Sequence, residues 1–380
     1  MEVYLDNSAT TKPYDEAVNT MSDVMKNTYG NPSSLHRMGK RAEDLLNKSR
    51  ESLAHSIGAK SDEFYFTSGG TESNNIAIIG YSLANRREGM RIITQRTEHA
   101  AVLEPFRYLS SLGFDVVYIG VDSLGFPNME ELKEAINEDT ILLSFMYVNN
   151  ENGAIFPIDE ISRIRTNKKC ALHVDAVQAY GKLPVSVKKQ NIDMLSISSH
   201  KIHGPNGIGG LYVSSSVKIN PIVFGGNQER SLRSGTENIA SASAFAKASE
   251  IKLSNMQADN EKMSYLKSLL KEKLCKNIEN VVVNSPENSV CSILNVSFPG
   301  VKSEVLLHVL ESKGIYVSTG SACNSRKKKL SYVLTEMGLK SEIADSAVRF
   351  SLSGFNTEEE IDYTIDVLQK EIPILRKIMK

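Results

Sequence analysis

Between about residues 60 and 215 the chain alternates short apolar runs, rich in β-branched and aromatic side chains, with stretches whose apolar positions recur at helical spacing. The runs fall at 63–67, 91–94, 115–119, 140–147, 171–175, 194–198 and 208–213. Strands separated in this way by helices predict an α/β fold with a mainly parallel seven-stranded sheet covered on both faces. In that architecture ligands bind beyond the carboxyl ends of the strands, so the residues just after each run are the first place to look for chemistry.

The pattern changes further on. Residues 238–277 carry few turn signals and predict one long helix, or two in series, as a bridge between domains. Strand-like pieces at 281–284, 293–298, 315–318 and 348–352 then alternate with helical stretches, the last running from 357 to the end, which predicts a smaller α+β domain. A chain of 380 residues exceeds what one hydrophobic core usually organises. The predicted division is a large domain over 15–255 and a small one made of 1–14 and 256–380.

Composition narrows the function classes. No apolar run approaches the roughly 20 residues that cross a bilayer, and the start of the chain places Glu2 and Asp6 where an export signal needs basic residues. A soluble, cytoplasmic protein is expected. The four cysteines, Cys170, Cys275, Cys291 and Cys323, are scattered without the paired spacing of zinc sites, so no metal is expected and a reducing compartment suits them. A formal charge of -1 gives no global attraction to nucleic acid or to anionic membrane. The local run from Arg326 to Lys329 stands out, as a solvated face or a docking patch.

Four segments at predicted strand ends carry candidate chemistry. In Phe64-Tyr-Phe-Thr-Ser-Gly-Gly-Thr71-Glu-Ser-Asn-Asn an apolar strand passes through two glycines into a helix start, where free N–H groups and the helix dipole suit an anion such as phosphate. The same residues suit an ordinary capped turn. In Leu172-His-Val-Asp175-Ala-Val-Gln178 a carboxylate closes an apolar strand, which is costly unless it meets a cation or donors. A protonated cofactor ring nitrogen is one such partner; a structural capping role is another. In Asp193-Met-Leu-Ser-Ile-Ser198-Ser-His200-Lys201-Ile-His-Gly-Pro-Asn-Gly a strand empties into a glycine-rich loop holding Lys201 between two histidines, 26 residues after Asp175. Lysine is the residue that condenses with a cofactor aldehyde, and burial near other cations makes its amine nucleophilic. His99, in Thr97-Glu-His99, follows the run at 91–94 and opens a helix, so it serves either as a cap or as an aromatic, proton-carrying neighbour of a ligand.

Cys323 belongs to Ser318-Thr-Gly-Ser-Ala-Cys323-Asn-Ser-Arg-Lys-Lys-Lys, a small, polar segment after a strand. Exposure and adjacent positive charge favour its thiolate, whereas Cys170 at a strand start, Cys275 in an amphipathic helix and Cys291 beside the run at 293–298 read as inert.

Taken together with Tyr4-Leu-Asp-Asn-Ser-Ala-Thr-Thr, Gly30-Asn-Pro-Ser-Ser, Val148-Asn-Asn-Glu-Asn-Gly, Ser234-Gly-Thr-Glu-Asn and Arg349-Phe-Ser-Leu, these segments resemble, over nearly the whole chain, the NifS/IscS group of cysteine desulfurases within the class-V aminotransferases. The resemblance implies a fold-type I enzyme dependent on pyridoxal 5'-phosphate. It implies that Lys201 holds the cofactor covalently, Asp175 meets the pyridine nitrogen, Gln178 the ring hydroxyl, and His99 stacks on the ring. The phosphate would be held by Gly70, Thr71, Ser198 and His200, with Thr236 arriving from the second subunit of a homodimer. Asn149 and Arg349 would receive the carboxylate of L-cysteine, and Cys323 its sulfur, for delivery to an iron–sulfur scaffold or a tRNA-thiolation enzyme. Two departures, the basic run at 326–329 and an end at Lys380 without the longer tail with which some members hold a scaffold, point toward a dedicated acceptor such as a tRNA-thiolation enzyme. Rival readings are a selenocysteine lyase, another aminotransferase-like enzyme, and a non-catalytic sulfur-carrier adaptor. The intact set Lys201, Asp175 and His99 speaks against the adaptor.

Overall fold

A computed structural model describes residues 1–165, 169–320 and 330–379. Its main sheet has seven strands in the order Phe64–Thr67, Gly209–Val213, Met194–Ser198, Ala171–Asp175, Thr140–Met146, Arg91–Gln95, Asp115–Ile119. All seven coincide within a residue or two with the runs read from the sequence. Neighbours are parallel except Gly209–Val213, which runs antiparallel to both strands beside it.

The reason these strands read as unbroken apolar runs is that both faces are buried. Successive side chains point to opposite faces. Ile93, Leu143, Leu195 and Tyr212 therefore enter one core layer with Leu46 and Leu53 of the helix Arg37–Ser56 and Phe245 of the helix Ile239–Ser254. Ile92, Leu142, Met194 and Leu211 enter the opposite layer with Val102, Phe106 and Leu109 of the helix Ala100–Ser111.

The expected bridge is two helices in series, Ile239–Ser254 and Met256–Asn277, interrupted at Asn255. A separate core gathers Leu266, Leu270 and Leu274 of the second helix, the antiparallel strands Ile293–Ser297 and Ala347–Ser351, and the final helix Glu358–Ile378. Val3 and Leu5 pack into it as well, and the strand Val3–Tyr4 pairs in parallel with Ile315–Tyr316. The chain therefore enters through the smaller core before it reaches the sheet.

One loop between the sheet and the helix Ile239–Ser254 is held in a costly conformation. Asn227, Glu229, Arg230 and Ser231 all have φ between 44° and 67°, the left-handed region that side chains rarely adopt. A buried fork over-determines it: Arg50 Nη1 and Nη2 donate to the two carboxylate oxygens of Glu229 at 2.5 and 2.7 Å, and the Phe66 N–H donates to the same carboxylate at 2.8 Å. Arg50→Met should strand the Glu229 charge and lower stability by about 3–5 kcal/mol. Urea unfolding measures this, and a loss below about 1 kcal/mol would mean that the fork does not hold the loop.

Candidate active site

The carboxyl ends of the parallel strands meet at one cleft of about 200 Å³. Its wall includes Gly70, His99, Asp175, Gln178, Lys201 and Arg349, together with Thr71, Ser198 and His200. Residues separated by up to 341 positions, from Ser8 to Arg349, are thus brought together.

Lys201 closes a single 3-10 turn, Ser199–Lys201, directly after the strand Met194–Ser198. The turn is strapped down by the start of the chain, since Thr11 donates both its N–H and its hydroxyl to the His200 carbonyl. The Lys201 ammonium donates to the carbonyl oxygens of Ser8 at 2.5 Å and Ala9 at 2.7 Å. Gln178 Nε2 donates to the same Ser8 oxygen at 3.0 Å.

Asp175 ends the neighbouring strand and is 7% exposed. Its Oδ1 accepts from the Val177 N–H at 3.0 Å and its Oδ2 from Asn74 Nδ2 at 2.6 Å, which satisfies the carboxylate without a cation. Asn74 lies one turn into the helical stretch that starts at Gly70, so it faces the same side as Gly70 itself. Gly70 is required by space, because a Cβ there would stand 2.6 Å from Val177 Cγ2.

His99 caps the helix Ala100–Ser111, its Nδ1 accepting from the Ala101 N–H at 3.1 Å. Burial, reinforced by Lys201 and Arg349 against the opposing pull of Asp175, lowers its pKa, so the imidazole is neutral at physiological pH with its proton on Nε2. It is both cap and cleft residue. A proton passed through it must leave from and return to Nε2, because Nδ1 is engaged. His200 is also neutral: burial and Lys201 push its pKa down to about 4, and its Nδ1 faces the Thr10 hydroxyl at 3.2 Å. His173, on the strand leading to Asp175, is a core residue between Ser144 and Ser196, pushed down to about 3 by burial.

Arg349 is almost fully buried and lines the cleft; it donates to the Asn150 carbonyl at 2.9 Å and to Asp6 Oδ1 at 2.8 Å. Asn149 has its amide committed elsewhere. Its Oδ1 accepts from the N–H groups of Glu151 and Asn152, and its Nδ2 donates to the Thr97 carbonyl. The residue of that turn that lines the cleft is Asn150. Thr236 stands exposed on the Arg50-anchored loop and is not among the described residues of the cleft wall.

Cys323 and the run from Arg326 to Lys329 lie outside the described residues. The chain leading toward Cys323 leaves from the cleft, for Ser318 exchanges backbone hydrogen bonds with Arg349. Two of the described thiols are poor nucleophiles, since burial pushes Cys170 up to about 12 and also raises Cys291; Cys275 is exposed on the helix Met256–Asn277 and is not among the residues of the cleft wall.

Four buried polar atoms of the cleft wall have no hydrogen-bond partner among the described residues: Ser8 Oγ, Asn74 Oδ1, Asn150 Oδ1 and Arg349 Nε. Unsatisfied groups of this kind cost about 1–3 kcal/mol each, so the wall is built for a polar occupant. An amine, a buried carboxylate, a ring-sized gap and a glycine-lined helix start together fit pyridoxal phosphate. Sequence reasoning missed Asn74, Asn150 and the Ser8 and Ala9 carbonyls. The helical offset of four residues from Gly70 was a usable signal for Asn74, whereas backbone carbonyls leave none.

Residues 3–364 match the family described as "Aminotransferase class-V". The chain is 43% identical over 378 residues to a protein named cysteine desulfurase IscS from Dictyoglomus turgidum, covering 99% of this chain and 96% of that one. It is equally similar, at 43% over 376 residues, to a cysteine desulfurase IscS from Methanosarcina thermophila, covering 99% and 93% respectively. A solved structure described as a NifS-like protein superposes with a TM-score of 0.94 at 39% identity, covering 99% of this chain and all of the other.

Proposed function

We propose that this chain, which belongs to the class-V aminotransferase family, is a cysteine desulfurase that uses pyridoxal phosphate to convert L-cysteine to L-alanine and passes the sulfur to Cys323. The observation that carries this reading is the convergence of Lys201, Asp175, His99 and Arg349 on one cleft whose wall has unsatisfied polar atoms.

Lys201 would anchor the coenzyme, Asp175 would hold its ring nitrogen, Gln178 its ring oxygen, and the His99 imidazole would lie against the ring. Gly70, Thr71, Ser198 and His200 would hold the phosphate, with Thr236 of a second subunit. When bound, the coenzyme supplies an electron sink for the pair released at the substrate's α-carbon.

The rest falls to the chain's own residues. Arg349 binds the substrate carboxylate, with its Nε as the donor still to be used, and Asn150 beside it adds an amide. Asn149 acts through the turn it braces. The Lys201 amine, on the wall of the same cleft, would take the proton from the α-carbon. The Cys323 thiolate attacks the substrate sulfur; a sulfur–sulfur bond forms, the carbon–sulfur bond breaks, and the carbon is protonated to give alanine. Cysteine plus thiol gives alanine plus persulfide, so atoms and electrons balance without an oxidant. His99, neutral with its proton on Nε2, delivers a hydrogen bond or a proton from that nitrogen.

The persulfide then passes to an acceptor protein, an iron–sulfur scaffold or a tRNA-thiolation enzyme, in a reducing, cytoplasmic setting where the thiol stays free. The protein works as a homodimer, a reading supported by the exposed Thr236 loop and by the exposed Tyr29, Leu35 and Phe224. The test is to incubate purified protein carrying coenzyme with L-cysteine and to follow alanine and the mass of the Cys323 peptide. Equal amounts of alanine and one added sulfur on that peptide are expected in a single turnover. Pyruvate in place of alanine, or the sulfur on another cysteine, would sink the reading.

A further inference from the structure

Lys182 follows the turn after the strand Ala171–Asp175, and its side chain runs behind the cleft instead of out to water, leaving the residue 6% exposed. Among the described residues its ammonium donates to Gln178 Oε1 at 3.1 Å and pairs with no carboxylate. Asp259 nearby is taken by Lys252 at 2.5 Å. Burial, then Lys252 and Lys201, bring the pKa of Lys182 down to about 7, with Cys291 opposing and Arg349 adding to the fall. A lysine buried in this way costs stability, and its presence calls for a physical reason.

The reason lies in the hydrogen bonds around Gln178. An amide side chain can turn either its oxygen or its nitrogen to a neighbour, and the neighbours decide which. The Ser8 carbonyl can only accept, so Gln178 must turn Nε2 toward it, at 3.0 Å. Its oxygen then faces Lys182, which donates. One N–H is spent on Ser8, which leaves the second for the cleft that Gln178 lines. The same Ser8 oxygen accepts from Lys201 at 2.5 Å, so Lys182, Gln178, Ser8 and Lys201 form one connected chain from behind the cleft to the anchoring amine.

We infer that Lys182 is a positioning residue: it locks the Gln178 amide so that an N–H group, and not the carbonyl oxygen, is presented to the ring oxygen of the coenzyme. The inference rests on the reading of the cleft given above. A donor at that place favours the ionised form of the ring oxygen. Without Lys182 the Gln178 oxygen is buried with no donor and the amide is held at its nitrogen end alone, by Ser8, so the N–H aimed at the ring oxygen is no longer fixed from both sides.

The experiment uses full-length apo-protein in four forms: the parent, Lys182→Met, Gln178→Ala and the double variant. Each is titrated with pyridoxal phosphate, and both the dissociation constant and the pH dependence of the visible band are recorded. Lys182→Met is expected to weaken coenzyme binding by about tenfold and to move the pH at which the band changes. In the Gln178→Ala background the same substitution should alter binding by less than about twofold, because the residue it acts through is already gone. Equal losses in both backgrounds, or no loss in the parent, would overturn the inference. If Lys182→Met does not fold, Lys182→Gln carries the same cycle with a smaller loss of about threefold, since a neutral amide replaces the ammonium. A parent protein that takes up no coenzyme overturns the reading of the cleft and this inference together. Additive losses in a protein that does take it up overturn this inference alone, whatever it does with cysteine.

Discussion

Lys201→Ala should yield a folded, colourless protein whose added coenzyme is lost on gel filtration and whose cysteine turnover falls by about 10³-fold or more. The expectation follows from the two tasks assigned to one amine, anchoring the coenzyme and taking the α-proton. No other described lysine is placed to take over. Lys182, the nearest candidate behind the cleft, is committed to Gln178 and approaches from the far side of that amide. The fold should survive, because the Lys201 ammonium contributes two hydrogen bonds to the Ser8 and Ala9 carbonyls, and charge-assisted bonds of this kind are worth about 1.5–3 kcal/mol each at most. Absorbance after gel filtration, turnover and urea unfolding on one preparation separate loss of chemistry from loss of structure. Borohydride reduction that still fixes coenzyme to the variant would place the anchor on another amine and remove the basis of the mechanism.

Cys323→Ser is expected to divide the reaction differently. The variant should take up coenzyme as the parent does and show the same visible band, yet lose sulfur transfer by about 10²-fold or more, since a serine hydroxyl does not ionise where a thiol does. The remaining thiols offer no rescue: Cys170 and Cys291 are raised by burial, and Cys275 sits on a helix of the smaller core. An enzyme that only moved amino groups would be indifferent to the change. Unchanged sulfide release by the variant would therefore remove Cys323 from the sulfur-transfer step and leave the coenzyme assignment standing.

The seven strands of the sheet were legible because both faces are buried, which writes each strand as an apolar run bounded by turn residues. The reversed direction of Gly209–Val213 was not read, although a signal was present. The connection from Ser198 to Gly209 is too short for the crossover helix that a parallel pair needs, so a return in the opposite sense was the only economical path. Lys201, Asp175 and His99 were found because each ends or follows a run, and strand ends converge. Asn149 and Asn150 are adjacent and alike in the sequence, and only the turn geometry shows that the Asn149 amide braces the backbone while Asn150 lines the cleft. Lys182 was invisible for another reason: a lysine after a glycine reads as a solvated turn, and nothing local reveals that it is buried.

The Ser8 and Ala9 carbonyls that hold Lys201 belong to a segment whose preceding residues, Val3 and Leu5, are packed in the smaller core. When the coenzyme takes up that amine, the first ten or so residues lose a tether to the sheet. Amide exchange at positions 3–11 should therefore quicken when coenzyme is added to the apo-protein, making the chain's leading edge a remote gauge of what the lysine is doing.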